Sequence, residues 1–351
     1  ETSMSALTPL FQSVQLDSQL VLKNRIVMAP LTRSMSDDAL VPTEDMAAYY
    51  GRRGDAGLII SEATLVSQDG QGYPNGPGLY TQAQVEGWKR VTQRVHEKGG
   101  KIFAQIWHTG RASHSIYHNG KVPMSASNVA LSGHVPLTDN LEYETPRAME
   151  PSEIQTLIKQ FAQAAKNAME AGFDGVEIHG ANGYLIDQFL HWHSNRRLDE
   201  YGGNPENMAR LVIDILNAVK AVIPENKIAL RLSPQAFFNM EHDDRDKQVF
   251  DHLLQKLNQF QLAYVHTGIF ADDNSEFWGG TITQYIRSHY RGTVIANGGY
   301  DAHSAAKTIE QGDADLVAIG RAFIANHDYI EKVKTNQAIT AYDESMLASL
   351  Y

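Results

Sequence analysis

The 351-residue sequence contains no cysteine, and this absence removes several kinds of chemistry together. Disulfide bonds, thiolate metal sites, iron–sulfur clusters and a cysteine nucleophile are all excluded. A chain without cysteine is compatible with the cytosol. We therefore expect a cytoplasmic protein.

Long apolar runs and an excess of positive charge are also lacking. No stretch approaches the roughly 20 consecutive apolar residues of a membrane span, and the N-terminus has no basic region followed by an apolar core. The chain carries 30 Lys and Arg against 41 Asp and Glu, for a formal net charge of -11. Such a surface repels nucleic acid and anionic membranes. We expect small-molecule substrates, neither of these partners, and a monomer or small homo-oligomer.

Two nucleotide-binding motifs are missing as well. No G-x-G-x-x-G follows a predicted strand and no Walker loop is present, so the chain shows no sign of a dedicated dinucleotide domain. A nicotinamide coenzyme, if one is used, has to enter the main site. We interpret Glu1-Thr2-Ser3, which precedes Met4, as a cloning remnant and residues 4–351 as one domain.

Short runs rich in Val and Ile recur along the chain, and most are followed by a segment of helical periodicity. This alternation predicts an α/β fold with a parallel sheet, and eight units over about 250 residues or more are what a closed (β/α)8 TIM barrel needs. A doubly wound open sheet is the alternative. The predicted strands span residues 25–30, 57–63, 101–108, 175–179, 227–233, 263–267, 293–297 and 316–320.

Two segments depart from this repeating unit. Residues 10–15 and 19–23 flank Leu16-Asp17-Ser18 and predict an N-terminal hairpin at the barrel floor. After the third strand, residues 109–145 form a turn-rich excursion whose length predicts a lid or subdomain at the barrel mouth. Apolar stripes and end signals predict helices from Gln82 to Lys98, from Pro151 to near Gly172 and from Asp301 to Gly312.

Strand parity separates two faces in the third, fourth and fifth predicted strands. Side chains alternate along a strand, and one set of positions in each of these strands is apolar and expected to face the helices. The other set points Gln105, His179 and Arg231 into the barrel, near the carboxyl ends of their strands, and Trp107 shares this parity. That end is the catalytic face of a (β/α)8 barrel. A satisfied polar layer inside the barrel is the alternative.

An imidazole, a carboxamide and a phenol lie within six positions directly after the fourth strand. His179 and Asn182 can donate to a carbonyl oxygen, and Tyr184 can deliver a proton beside it. A helix-turn interpretation, with spacing i, i+3, puts His179 and Asn182 on one face. The ordinary phenol pKa is roughly 10, so we expect Tyr184 to be a protonated acid at neutral pH that needs no special tuning.

Glycine motifs close the last two predicted strands. Gly298 and Gly299 follow the seventh strand, and Gly320 with Arg321 follows the eighth. Phosphate sites in (β/α)8 proteins form from these two loops, where backbone N–H groups and a helix N-terminus favour an anion. Thr32 adds a hydroxyl at the same level, or it is only a turn residue after a proline. The motifs together predict a phosphate-bearing cofactor.

Several longer motifs resemble those of the old yellow enzyme family of flavin-dependent ene-reductases, in particular its bacterial N-ethylmaleimide reductase and pentaerythritol tetranitrate reductase branch. The similarity runs from about Leu10 to Asn326. The motifs that carry it are Met28-Ala29-Pro30-Leu31-Thr32-Arg33, Gln105-Ile106-Trp107-His108-Thr109-Gly110-Arg111, His179-Gly180-Ala181-Asn182-Gly183-Tyr184-Leu185, Asp199-Glu200-Tyr201-Gly202-Gly203 and the two glycine motifs.

The resemblance implies non-covalent FMN as cofactor and NAD(P)H as transient reductant, with ping-pong kinetics. It implies that hydride passes from flavin N5 to an activated alkene (an α,β-unsaturated carbonyl, a maleimide or a nitro compound), as in xenobiotic reduction. His179 and Asn182 would hold the substrate oxygen while Tyr184 protonates the α-carbon. The implied FMN contacts are Pro30, Leu31, Thr32, Ala63, Gln105, Arg231, Gly298, Gly299, Gly320 and Arg321. We also predict that Tyr73, Trp107 and Phe237 line the substrate pocket.

Some features differ from the family pattern, and other functions stay open. Asn182 stands where some relatives carry histidine. The tail after Asn326 matches poorly, so the role of that tail is open.

Several histidines suggest a metal-dependent lyase or hydrolase as an alternative. Metal sites usually add carboxylates at fixed spacing, and the pair His191 and His193 can equally lie on a helix surface. We therefore predict no metal. A Schiff-base aldolase lacks a lysine at a strand end. A flavin-bound protein that binds phenols or steroids with little turnover is a further alternative.

Overall fold

The structure, a computed structural model, describes residues 4–351. Glu1, Thr2 and Ser3, which we interpret as a cloning remnant, lie outside the described residues. Eight parallel strands of the described chain pair in chain order, and the eighth returns to the first. The predicted (β/α)8 barrel is confirmed and the open sheet is wrong, because an open sheet would leave two unpaired edges. The barrel strands, called first to eighth, are Ile26–Met28, Leu58–Ile60, Ile102–Trp107, Gly175–Gly180, Ile228–Leu232, Val265–Thr267, Val294–Ala296 and Leu316–Ile319.

Amphipathic helices surround the barrel, and the three that the sequence predicts are present. Thr81 caps helix Gln82–Glu97, proline begins helix Pro151–Glu170, and the Asp301 carboxylate caps helix Ala302–Glu310. Within residues 4–351, no helix combines the length and the apolar character needed to cross a bilayer. The other α-helices are Glu44–Arg52, Leu185–Leu190, Pro205–Lys220, Asp246–Leu257, Ile282–His289, Arg321–Ala325 and Tyr329–Lys334; 3-10 helices span Met4–Phe11, Gln68–Gly70, Ser115–Tyr117, Glu225–Lys227 and Glu344–Ala348.

The N-terminal hairpin packs against the floor of the barrel, as predicted. Its strands, Val14–Gln15 and Val21–Leu22, pair antiparallel. Leu20 and Leu22 are buried in the same apolar cluster as Phe103 and other inward-facing residues near the amino ends of the barrel strands. The first strand of the hairpin is shorter than predicted because residues up to Phe11 form a 3-10 helix. Apolar packing therefore closes this end of the barrel.

The excursion after the third strand lies on the opposite, carboxyl end. The buried guanidinium of Arg111 donates to the carbonyl oxygens of Val129, at 2.9 Å, and of Asn239, at 3.0 Å. Its strand Met124–Ser125 pairs with strand Arg147–Ala148, which follows the excursion directly. Since Asn239 belongs to the loop that follows the fifth strand, these bonds fix the excursion beside the barrel mouth. The predicted location of this segment is confirmed.

The chain after Asn326 returns to the barrel mouth near the first strand. Arg33 donates to the carbonyl oxygen of Ser349 at 2.7 Å, and Arg53 donates to that of Tyr351 at 2.6 Å. Asn326 anchors the middle of this segment, because its carboxamide donates to and accepts from the backbone of Thr340. The C-terminal segment thus packs directly behind the residues that follow the first strand.

Candidate active site

Polar residues from three barrel strands form a buried network below the barrel mouth. Glu177 accepts hydrogen bonds from Gln105 Nε2 at 2.7 Å and from His266 Nδ1 at 2.8 Å. Burial lowers the pKa of His266, so the neutral imidazole is the donor. Burial alone would raise the pKa of Glu177, but the His266 contact and the positive charge of Arg231 lower it. Glu177 is therefore an interior carboxylate, and the Gln105 amide is fixed by it.

His266 is a member of this network that the sequence prediction missed. It lies in the sixth strand, and Tyr264, just before that strand, is separated from His266 by the apolar Val265. The same parity argument that identified Gln105 and His179 would have placed both inside the barrel. The signal was therefore present in the sequence.

Arg231, in the fifth strand, makes two hydrogen bonds and keeps one donor group free. Its Nε donates to the carbonyl oxygen of Thr267 at 3.1 Å, and its Nη2 donates to Asn297 Oδ1 at 2.9 Å. Burial lowers the pKa of Arg231 while Glu177 opposes that effect. The two hydrogen bonds leave Nη1 without a partner among residues 4–351, so the guanidinium can bind a further acceptor.

His179 lies opposite Arg231 on the neighbouring strand, in direct register. Burial, with a smaller effect of the Arg231 charge, lowers the pKa of His179 to about 3. The imidazole is therefore neutral at physiological pH and can donate one hydrogen bond. Its Nδ1 is buried and has no partner within the described residues.

Asn182 follows in a tight turn, and the helix-turn interpretation of this segment is wrong. His179 still belongs to the fourth strand, and the next helix begins only at Leu185. Asn182 has the left-handed backbone φ of 59°, and its N–H donates to Ser233 Oγ at 2.9 Å. A strand end and a turn therefore position the two side chains, and the i, i+3 spacing does not put them on a helix face.

An aromatic cluster borders this turn. The rings of Trp107 and His179 stack with centroids 5.8 Å apart, and Tyr184 meets Trp107 edge-on at 4.6 Å. Tyr73 also stacks on Trp107, with ring centroids 5.7 Å apart. The Tyr73 and Tyr184 hydroxyl oxygens are 2.7 Å apart. Three of the predicted site residues are thus brought together with His179.

The expectation of an untuned Tyr184 is wrong. Burial, followed by the neighbouring Tyr73, raises the pKa of Tyr184 well above 10. The phenol is only 6% exposed, so the phenolate loses most of the hydration that stabilises it in water. Tyr184 is a protonated phenol at neutral pH, but its anion is costly to form.

A second buried network supports the turn from behind, and the sequence prediction missed it. The Gly183 N–H donates to Asp187 Oδ2 at 2.8 Å, and Gln188 Nε2 donates to the Gly183 carbonyl oxygen at 2.9 Å. Asp187 also contacts His191, which in turn contacts Asp246. The interpretation of His191 as a helix-surface residue is wrong, because it is fully buried. No group of three or more potential metal ligands occurs in the part of the chain that the structure describes.

The other residues predicted to bind FMN lie around the ends of the first, second, seventh and eighth strands, and those predicted for the phosphate follow the seventh and eighth. Gly298 and Gly299 have φ of 122° and 81°, a conformation that favours glycine. A Cβ on Gly299 would meet open space. Arg321 is exposed, with no ion pair among the described acidic residues, and lies 5.4 Å from the Tyr342 ring. After the first strand, Thr32 is exposed whereas Pro30 and Leu31 are half-buried. Ala63, after the second strand, is buried. Gly320 follows the eighth strand and precedes helix Arg321–Ala325.

Phe237 is the predicted pocket residue with the least support. It is half-buried in the loop after the fifth strand and does not belong to the cluster that Trp107, Tyr184 and Tyr73 form. Its neighbour Phe238 is 54% exposed. Its place in the pocket stays a prediction, and unchanged substrate preference in a Phe237→Ala variant would remove it.

Comparison with known proteins gives consistent similarities over nearly the whole chain. A family model described as NADH:flavin oxidoreductase / NADH oxidase family matches residues 9–339. The chain is 38% identical to 12-oxophytodienoate reductase 7 of Oryza sativa subsp. japonica over 95% of this chain and 90% of that protein. It is 37% identical to flavin oxidoreductase hxnT of Emericella nidulans, over 98% and 95% of the two chains.

Solved structures give the same result. The old yellow enzyme homologue from Zymomonas mobilis is 38% identical, with a TM-score of 0.89 and 96% of each chain covered. Morphinone reductase in complex with tetrahydroNAD is 39% identical, with a TM-score of 0.88 and coverage of 96% of this chain and 93% of that chain.

Proposed function

Since the chain belongs to the NADH:flavin oxidoreductase / NADH oxidase family, we propose how its barrel mouth divides the work of a flavin-dependent reductase among individual residues. The family and the old yellow enzyme homologues similar to this chain make it an FMN-dependent NAD(P)H oxidoreductase that reduces activated alkenes. The roles given below to single residues are our proposal. So are the small-molecule nature of the substrates, a monomeric or small homo-oligomeric state and a cytoplasmic location.

The residues at the barrel mouth fit a flat, polar group that ends in a phosphate. Arg231 is a buried cation with a free donor at Nη1, and the Gln105 amide is fixed by Glu177. Open space at Gly299 and the exposed guanidinium of Arg321 suit a phosphate at the rim. We propose that Pro30, Leu31, Thr32, Ala63, Gln105 and Arg231 contact the ring system, and that Gly298, Gly299, Gly320 and Arg321 contact the phosphate.

FMN held by these residues would supply the hydride chemistry that links the reduced nicotinamide to the alkene. Arg231 would place its positive charge against the ring system and favour added negative charge there. His179 and Asn182 remain available for the substrate: the neutral imidazole and the carboxamide donate to the carbonyl or nitro oxygen, on which charge grows during the reaction. Such preorganised donors stabilise a transition state more than the ground state.

Tyr184 would supply the proton that the α-carbon needs. Its ring lies 5.3 Å from the His179 ring, centroid to centroid, and both side chains are buried. A phenol beside the two proposed oxygen-binding donors would lie next to the reacting double bond. The observation that carries the proposal is this pairing of a buried, neutral imidazole with a buried, protonated phenol at the carboxyl end of the barrel.

Separate measurement of the two half-reactions tests the proposal. Tyr184→Phe should slow reoxidation of the reduced enzyme by 2-cyclohexenone by roughly 100-fold, while reduction of the enzyme by NADPH or NADH stays within about twofold. Tyr80→Phe is the matched control, because its half-buried phenol donates to Gln68 instead, at 2.9 Å. Equal losses in both half-reactions, or none in reoxidation, would contradict the role of Tyr184.

A further inference from the structure

We propose that Tyr73 is a positioning residue for the protonation step. Its hydroxyl donates to the Tyr184 oxygen, so that the Tyr184 proton points to the substrate, and it then supplies the proton that replaces the one Tyr184 has lost. This proposal rests on the proposed role of Tyr184. It concerns the phenolic oxygen of Tyr73, whereas lining the pocket requires only the ring.

The two hydroxyl groups are held together by three successive barrel units. Tyr73 comes from the loop after the second strand, Trp107 from the third strand and Tyr184 from the turn after the fourth strand. The Trp107 indole contacts both phenol rings: it lies nearly parallel to Tyr73, at 21°, and steeply inclined to Tyr184, at 75°. The 2.7 Å oxygen–oxygen distance is therefore set by packed rings, which leaves the hydroxyl groups little choice of partner.

The pair holds two phenolic protons but makes only one hydrogen bond between its members. If Tyr184 donates to Tyr73, its proton is not available to the substrate. If Tyr73 donates to Tyr184, the Tyr184 proton is free to point into the pocket. Tyr73 is half-buried, whereas Tyr184 is buried. When Tyr73 donates to Tyr184, the less accessible phenol is therefore the acid, and the more accessible one can exchange its proton with water.

The same hydrogen bond lowers the free energy needed to form the buried Tyr184 phenolate. Burial raises the pKa of both phenols, and a Tyr73 that accepts from Tyr184 or is itself ionised raises the pKa of Tyr184 further. A protonated Tyr73 that donates to the Tyr184 oxygen has the opposite effect, because it stabilises the Tyr184 anion. Once one proton has left the pair, the remaining O–H donates to the phenolate. Such charge-assisted hydrogen bonds are roughly twice as strong as neutral ones, so the benefit is larger after proton transfer than before it. This is the condition for an effect on rate.

The proton balance is complete within the pair and water. A C–H bond forms at the α-carbon as the Tyr184 O–H bond breaks; the Tyr73 proton then passes to the Tyr184 oxygen, and water reprotonates Tyr73. Other groups that act on the pair are the Tyr117 and Tyr143 phenols, both from the excursion, and the Arg231 charge, which favours the Tyr184 anion. The excursion thus contributes two half-buried phenols near the pair.

The test is a double-mutant cycle in stopped-flow reoxidation by 2-cyclohexenone. Tyr73→Phe keeps the ring and removes the hydroxyl, and should slow reoxidation by about tenfold while reduction by NADPH or NADH is unchanged. In a Tyr184→Phe background, Tyr73→Phe should have no further effect, because residues that act as one unit are not additive. The control Tyr80→Phe should leave both half-reactions unchanged.

A spectroscopic measurement separates this role from a structural one. In protein labelled with 3-fluorotyrosine, the 19F resonance of residue 184, assigned through Tyr184→Phe, should titrate about one pH unit or more higher when Tyr73 is Phe. An unchanged titration, or equal effects of Tyr73→Phe with and without Tyr184, would overturn the proposal. If Tyr184→Phe itself leaves reoxidation unchanged, the proposed function of Tyr184 fails first, and that outcome is distinct.

Discussion

The imidazole of His191 and the carboxylate of Asp187 meet at 2.6 Å where both side chains are fully buried. Asp246 lies on the other side of the ring, at 2.8 Å. Asp187 also accepts the N–H of Gly183, one residue before Tyr184. This buried group of three charges therefore supports the turn that carries two of the proposed catalytic side chains.

Removal of the imidazole should be costly for stability. His191→Gln leaves two buried carboxylates without their cation, and breaking a buried ion pair in this way typically costs roughly 3–5 kcal/mol. Urea unfolding at neutral pH measures the change, with Gln82→Ala on an exposed helix position as the control. A loss below about 1 kcal/mol would show that His191 is not a charged link between Asp187 and Asp246.

The free energy of unfolding should also depend on pH through the titration of His191. Burial lowers the pKa of His191, but Asp187 and Asp246 outweigh it and raise the pKa to about 10. A group whose pKa is higher in the folded state contributes its full stabilisation below its unfolded pKa, about 6.5. That contribution is lost as the pH rises from there through 10. Unfolding free energies measured between pH 6 and pH 10 should fall, and the fall should be smaller in His191→Gln.

His179 should act without titrating in the working range. Its pKa is lowered to about 3, so the imidazole is neutral throughout pH 5–8. His179→Ala should slow reoxidation by an enone about 100-fold, as loss of one preorganised donor to a developing charge does. The wild-type rate should show no step near pH 6.5. A step at that pH that disappears in His179→Ala would mean that the charged imidazole participates.

The rim arginine should distinguish phosphate from ring recognition. If Arg321 contacts the FMN phosphate, Arg321→Ala should weaken FMN binding about tenfold and leave riboflavin binding unchanged, and the difference should shrink at high ionic strength. Quenching of flavin fluorescence measures both affinities. The control is Arg291→Ala, at an exposed site before the seventh strand. Equal weakening of FMN and riboflavin would place Arg321 away from the phosphate.

Much of this architecture follows from local patterns in the sequence. All eight barrel strands lie at the predicted positions, since Val- and Ile-rich runs between helices are typical of a parallel sheet buried on both faces. Period-two alternation also placed Gln105, His179 and Arg231 inside the barrel, because side-chain direction in a strand depends only on parity. The distances among these residues then depend on strand register, which the closed barrel fixes.

The features that escaped prediction depend on long-range contacts. Asp246 lies 55 residues after His191, and no local pattern connects the two. The upward shift in the Tyr184 pKa comes first from burial, and the hydroxyl that contacts Tyr184 belongs to Tyr73, 111 residues earlier. The turn at Asn182 was misread as helical because spacing alone cannot tell a helix from a left-handed residue held by Ser233.

The hairpin that seals the barrel floor has a kinetic consequence. With Leu20 and Leu22 packed into that end, we expect the coenzyme and the alkene to enter from the barrel mouth, one after the other. A high concentration of the coenzyme should therefore inhibit binding of the alkene, and a high concentration of the alkene should inhibit binding of the coenzyme. Turnover should pass through a maximum as either concentration is raised, and the alkene level that gives the maximum should increase with the coenzyme level.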